Sequence, residues 1–362
     1  MKGLIILKNI CFVLPAVSRK PIGGYKIVFE YANKLVEDNI NVSIVFINNL
    51  KAEKYHIPKF SVPLITSTVT KIEPRWFQLD KRIRKLDARS SDITRFSNDF
   101  DIVFATAATT VEFVKTNFTG CKHGYLIQDY ETWENSEDYL KRTYSYNMLK
   151  IVVSSWLKDI VDKSSLEPSV LIPNAIDINK YKCITPINKR NKLQLGMLWH
   201  FGEHKGCKYA LAAVEKAREK YPEIKLVMFG ATNPDIELPS WVEFHLKASQ
   251  DETVEIYNKV STFVCATIDE GFGLTGFEAM ACGAVLVSTS YSGVKEYAID
   301  GYNALLSPVK DIEALSKNII RCIDDSELRE KISLNGIKSG RDKSWDKAID
   351  QFESACNNYI AR

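Results

Sequence analysis

No stretch of this 362-residue chain approaches the roughly 18 consecutive apolar residues of a membrane-spanning helix. The most apolar segment, GLIILKNICFVLPAV near the N-terminus, is interrupted by Lys8, Asn9 and Pro15. It makes a poor signal peptide and a broken membrane helix, so it reads as the entry to a buried strand. No two of the eight cysteines form a C-x-x-C pair, so their spacing carries no zinc or redox signature. Cys11 in ICFVL and Cys265 in TFVCA lie inside apolar runs and read as small buried hydrophobes in a reducing, cytoplasmic compartment. Net charge is also scarce: +3 is too little to argue for a nucleic-acid partner.

What is present is an ordinary globular balance, 45% hydrophobic and 26% charged, in a chain long enough for about two domains. Short apolar runs alternate with helical patterns. Ile10–Leu14, Val42–Phe46, Ile102–Ala105, Tyr125–Ile127, Ile151–Val153 and Val170–Ile172 read as strands. A helix is expected from about Lys26, with Ile27, Val28, Tyr31, Ala32, Leu35 and Val36 on one face. Residues 179–192, NKYKCITPINKRNK, are polar and basic and break the pattern, so a boundary is expected there or just before, at IPNAID (172–177). The alternation then restarts with strands at Gln194–Trp199, Leu226–Phe229, Thr262–Ala266, Ala284–Ser288 and Ala304–Leu306, and a helix over Lys208–Tyr221. Strands alternating with helices predict an α/β fold: two parallel sheets, each covered on both faces, facing a deep cleft. The expected domains are residues 1–176, with a last helix at about 345–362 joining them, and residues 177–344.

Residues 71–95 hold eight basic residues against four acidic ones, beside Trp76 and Phe77. The segment reads either as a patch that docks peripherally on anionic lipid headgroups at the inner face of the cell membrane, or as a solvated helix of mixed charge.

The chemistry concentrates at residues 261–288, STFVCATIDEGFGLTGFEAMACGAVLVS. A strand runs into Glu270-Gly271-Phe272-Gly273, and a helix opens near Thr275. Glycines at such a turn let backbone N–H groups approach a phosphate, which the helix dipole also favours. Glu270 precedes the turn, and Glu278 stands eight residues later on the helix. Gly271, Gly273 and Gly276 also match G-x-G-x-x-G, with Glu296 placed as a ribose acid, which offers a dehydrogenase as a rival reading. The lateness of the motif and the flanking glutamates count against it. His200 and His204 are four apart, but Gly202 between them and the lack of a third ligand argue against a metal.

The segment EGFGLTGFEAMACGAVLVS resembles the E-x7-E signature of family 4 glycosyltransferases with the GT-B fold. The resemblance continues through GVKEYAIDGYNALL (293–306), HKG (204–206), IPNAID, the Gly23-Gly24 loop and KSWDKAIDQF (343–352). It implies two Rossmann-like domains and a retaining transfer from a nucleotide-sugar to a glycan or lipid-linked acceptor. Neither a cofactor nor a metal is implied, because the nucleotide-sugar is a substrate. By that resemblance Glu278 holds the ribose hydroxyls and Glu270 meets the donor sugar. The backbone of Gly271, Phe272, Gly273, Leu274 and Thr275 cradles sugar and diphosphate. Lys205 neutralises the diphosphate, and Gly23 and Gly24 approach it.

Three departures stand out. His200 occupies the place of a usual arginine and would add charge at lower pH. Thr106 replaces the histidine of D-x-x-x-x-H after Asp101, and Ala175 replaces a hinge glycine. The stretch LIQDYETWENSEDY (126–139) is similar to rhamnosyltransferase-type enzymes of surface polysaccharide synthesis, which puts Asp129, Tyr130 and Glu131 in the cleft. Asp129 and Glu131 read equally as an acceptor-side base or as structural hydrogen-bonders. The donor is then dTDP-rhamnose, or a UDP- or GDP-sugar. Rival readings are a nucleotide-sugar hydrolase or epimerase, and a non-catalytic subunit that binds a partner transferase.

Overall fold

The computed structural model describes residues 7–48, 61–89, 93–96 and 98–362. Residues 1–6 of the apolar N-terminal run and residues 90–92 of the basic segment lie outside these. The chain divides into two compact units, one of Met1–Pro173 with Asp346–Arg362, the other Asn174–Trp345.

The first unit is built on a parallel sheet of seven strands: β1 (Asn9–Leu14), β2 (Asn41–Phe46), β3 (Arg84–Asp87), β4 (Ile102–Ala105), β5 (Lys122–Ile127), β6 (Leu149–Val152) and β7 (Val170–Leu171). Their order is β3-β2-β1-β4-β5-β6-β7. β1 pairs on both sides, Ile10 lying opposite Val42 and Ile102. Its residues Ile10–Leu14 are buried throughout, as a strand covered on both faces requires. The helices are α1 (Gly23–Glu37), α2 (Val62–Ile72), α3 (Ala108–Asn117), α4 (Glu137–Ser145) and α5 (Ser155–Asp162).

The second unit has a six-stranded parallel sheet: β8 (Gln194–Trp199), β9 (Lys225–Gly230), β10 (Val242–Leu246), β11 (Thr262–Cys265), β12 (Val285–Thr289) and β13 (Ala304–Ser307). The order is β10-β9-β8-β11-β12-β13. Its helices are α6 (Cys207–Lys220), α7 (Gln250–Lys259), α8 (Leu274–Ala281), α9 (Ile312–Asp324) and α10 (Ser326–Asp342). α11 (Trp345–Ile360) returns to the first unit, where Phe352 packs on Tyr31, Phe104 and Phe12 with centroids 4.7, 5.1 and 6.1 Å apart.

In both sheets the strand order reverses once, between β1 and β4 and between β8 and β11. Loops at the carboxyl ends of such switch strands diverge and leave room for a ligand.

Three local expectations need correction. β3 and β10 carry no apolar run that the sequence reading could use. Both are edge strands, RKLD and VEFHL, where charge guards against unwanted pairing. The basic segment is not a helix. α2 ends at Ile72, the chain turns into β3, and Ile93–Phe96 is a single 3-10 turn. Trp76 and Phe77 pack on Phe29, with centroids 5.6 and 5.4 Å away, so these aromatics face the unit's own core. Residues 179–192 are likewise no simple polar linker. Arg190 is buried, and its guanidinium donates to the carbonyls of Thr185, Tyr257, Val260 and Cys282 at 2.5–2.8 Å. A charge taken out of water needs such partners, and four carbonyls satisfy it.

Candidate functional site

At the carboxyl end of β11 the chain runs through residues 266–273 into α8. Gly273 caps the helix at φ +97°, a conformation that costs residues with a Cβ energy. A Cβ there would sit 1.8 Å from the Tyr291 hydroxyl and 2.8 Å from that of Tyr297. These two hydroxyls bond each other at 3.0 Å, and Tyr297 donates to Gly273 O at 2.8 Å. The turn is thus braced from behind by two buried tyrosines. Phe272 is also buried, packed on Phe277 and Tyr297 at 5.6 and 5.1 Å, so its side chain belongs to the core. The first N–H groups of a helix have no partner within it, and the helix dipole at this end of α8 favours an anion.

A second loop meets this turn. After β8, residues 200–206 form a 3-10 turn that delivers Lys205 and enters α6. Gly206 lies at φ +61°, and a Cβ there would fall 1.8 Å from Ala266 O, so only glycine lets the loop lie against the end of β11. Ile268 N donates to His204 O at 2.7 Å and locks the two loops together. Lys205 Nζ thereby reaches the Glu270 carboxylate in an ion pair whose members are each about one-fifth exposed.

Glu278, on α8, is 5% exposed and accepts a hydrogen bond from the Tyr257 hydroxyl at 3.0 Å. Burial and the adjacent Glu278 charge drive the Tyr257 phenol far above its ordinary range, so it serves as a fixed donor.

His200 differs from expectation. Burial, then Lys205 and His204, pull its pKa down to about 4 against a small opposing effect of Glu270. It therefore stays neutral in the mildly acidic range, contrary to the expected gain of charge at lower pH.

Gly23, Gly24 and Asp129 lie in the first unit, at the carboxyl end of its sheet. The glycine pair forms the first turn of α1 rather than a preceding loop. Gly24 O accepts a hydrogen bond from the Gln128 side chain at 3.1 Å, so the start of α1 and the segment after β5 are neighbours. Asp129 Oδ1 accepts from Tyr130 N at 2.9 Å. Both Glu131 oxygens accept from Ala108 N, the first N–H of α3, at 3.1 and 3.2 Å. Burial chiefly, with the neighbouring Asp129 and Glu134 charges, pushes Glu131 up to about 7. Thr106 is buried and donates to Val13 O at 2.8 Å, so it ties β4 to β1 and presents no reactive group.

The second unit thus gathers Lys205, His200 and residues 270–278 from two loops. The sequence reading did not assign the residues that shape the turn: Tyr257, Tyr291, Tyr297 and Gly206. Tyr291 and Tyr297 flank or lie within GVKEYAIDGYNALL, the segment flagged for its likeness to the family, and that was the available signal.

Residues 185–339 match the family described as glycosyl transferases group 1. The match takes in His200, Lys205 and the whole 270–278 turn, and leaves Gly23, Gly24 and Asp129 outside it. The chain is 28% identical over 134 residues to the capsular polysaccharide biosynthesis glycosyltransferase CapM of Staphylococcus aureus, 37% of this chain and 33% of that one. It is 23% identical over 344 residues to the uncharacterized glycosyltransferase MJ1069 of Methanocaldococcus jannaschii, covering 84% of each. Three of the matched curated relatives, CapM among them, are spanned over only about a third of their length. The Anabaena protein Alr3699/HepE, solved with UDP-glucose, superposes with a TM-score of 0.74 at 16% identity, over 96% of this chain and 98% of that one. The fold is therefore GT-B, two Rossmann-like α/β units. Among the described residues no helix is long and apolar enough to cross a membrane.

Proposed function

We propose that this protein is a glycosyltransferase that takes a sugar from a nucleoside-diphosphate carrier and passes it to a glycan or lipid-linked acceptor during polysaccharide synthesis. The observation that carries the reading is the junction of two loops at the end of β11, where Lys205, Glu270 and the N-terminus of α8 converge. The group 1 match over this stretch and the CapM relative support it. The diphosphate lies over the α8 N–H groups beside Lys205, the ribose hydroxyls reach Glu278, and the sugar hydroxyls reach Glu270. Transfer breaks the bond between the sugar's anomeric carbon and the phosphate oxygen, and forms one to an acceptor hydroxyl on the same face. The departing phosphate takes the acceptor proton. Fixed N–H groups and Lys205 meet the charge that develops on the leaving oxygen, which is where preorganised donors lower a barrier most. No metal is needed for this step. The E-x7-E pattern supports retention, and the segment 126–139 supports rhamnose as the transferred sugar with Asp129 on the acceptor side.

The test is a thermal-stability screen against dTDP-rhamnose and UDP- and GDP-sugars. A donor at a hundredfold excess over its Kd should stabilise the protein by about 2.7 kcal/mol. Glu278→Ala should abolish that gain, because it removes the ribose acceptor. If no nucleotide-sugar stabilises the wild type, the reading is wrong and the chain is a binding subunit. Release of free sugar, or interconversion of donors without acceptor, would instead identify a hydrolase or an epimerase.

A further inference from the structure

His200 follows β8 in the loop that delivers Lys205, and its ring is constrained on several sides. Gly202 N donates to His200 Nδ1 at 3.0 Å. Phe201 stacks on the ring with centroids 4.7 Å apart and planes 18° from parallel, and His204 meets it edge-on at 5.8 Å. The backbone N–H of His200 is itself anchored on Cys207 Sγ at 3.2 Å. Gly202 must approach this closely: a Cβ on it would lie 2.6 Å from His204 Cε1 and 3.0 Å from His200 Nδ1.

A ring nitrogen that accepts an N–H carries no proton. In the neutral imidazole the proton must then sit on Nε2. Protonating Nδ1 would set two N–H groups against each other at hydrogen-bond distance and strip Gly202 N of its partner. The charged groups around the ring do not favour it. Lys205 and His204 on the same loop oppose a positive charge, and Glu270 from the β11 turn, already paired with Lys205, assists only weakly. Asp269, on that same turn, bears on His204.

We propose that His200 serves the donor site as a neutral hydrogen-bond donor, with Nε2–H directed to the diphosphate while Nδ1 stays committed to Gly202 N–H. This rests on the donor-site reading above. It adds the atom used, the proton state and the residue that enforces it. Among the described residues of the two loops, the anion cradle then draws its positive charge from Lys205, balanced by Glu270, and meets a diphosphate by oriented N–H dipoles more than by net charge. Binding should therefore be insensitive to the protonation of His200.

The experiment uses the full chain with UDP, GDP and dTDP as probes. Long-range proton–nitrogen NMR of the imidazole reports the tautomer with and without the nucleotide that binds. The expected spectrum is an Nε2–H ring with an unprotonated Nδ1 in both states. Calorimetry then compares wild type, His200→Gln and His200→Ala from about pH 5.5 to 8, where an ordinary histidine titrates. Comparing variants at each pH cancels the titration of the nucleotide itself. Gln retains a neutral N–H near the position of Nε2, so it should bind within about threefold of wild type at every pH, and Ala should be weaker by about tenfold, the scale of one hydrogen bond to a charged group.

A wild-type advantage over His200→Gln that grows steeply as pH falls, or a doubly protonated ring in the complex, overturns the proposal. So does an Ala variant that binds like wild type while Lys205→Ala and Glu278→Ala do not, which leaves the donor site standing without His200. If none of the three nucleotides binds wild type at any pH, the donor-site reading itself fails and this inference with it.

Discussion

Replacing Lys205 with alanine tests the centre of the proposed chemistry, and the structure sets the size of the effect. Lys205 and Glu270 form an ion pair whose members are each about one-fifth exposed. Members this sheltered from water are costly to leave unpaired, so Lys205→Ala should lower stability by about 1–3 kcal/mol. Turnover should fall as well. Removing one group that stabilises developing charge costs about 10²–10³ in rate. A second effect adds to this. Without Lys205 the Glu270 carboxylate is uncompensated and faces the diphosphate. At about 4 Å two like charges repel by ~1 kcal/mol in water and ~4 kcal/mol at an effective dielectric of 20, which weakens nucleotide binding as well. The double variant Lys205→Ala/Glu270→Gln removes that repulsion. It should bind the nucleotide more tightly than Lys205→Ala alone while remaining slow in transfer. The assay is steady-state transfer from the donor found by the stability screen, with calorimetric nucleotide affinity measured on all four members of the cycle. Near-normal turnover in Lys205→Ala, or a double variant that binds no better than the single one, refutes the argument.

Two further outcomes are expected. Gly273→Ala should destabilise the second unit by about 3 kcal/mol, combining ~1–2 kcal/mol for the left-handed backbone with the loss of tyrosine hydrogen bonds of ~1 kcal/mol each. A loss below about 1 kcal/mol in chemical denaturation would show that the tyrosine brace yields freely. In the first unit, Glu131 is raised from 4.5 to about 7, so the folded chain holds a proton that the unfolded chain releases between those values. Its contribution is therefore fully present below pH 4.5 and is lost as pH rises through 7, by about 3 kcal/mol at most. Glu131→Gln should flatten that slope between pH 5 and 8, and an unchanged slope would mean the carboxyl group titrates normally.

The sequence alone determined the fold class and singled out the turn to which the chemistry is assigned. Buried parallel strands must be apolar on both faces, so β1, β4, β8 and β11 announce themselves as short apolar runs. The turn from β11 into α8 is equally legible, because Gly273 at positive φ and the first turn of a helix leave a local signature. Glu270 and Glu278 stand out by their place around the glycine turn, and Lys205 by the family resemblance of HKG. What the sequence could not decide was contact and proton state. Lys205 and Glu270 are 65 residues apart, and their pairing depends on Gly206 fitting against Ala266 O. Arg190 reads as part of a solvated basic stretch until four distant carbonyls close around it. Thr106 reads as a missing histidine until its hydroxyl is found bonded to β1. His200 reads as a titratable charge until the N–H of Gly202 occupies its Nδ1. Periodicity and backbone conformation are encoded locally. Desolvation, ion pairing and tautomer depend on which distant groups the fold brings within a few ångströms, and only the tertiary structure sets those.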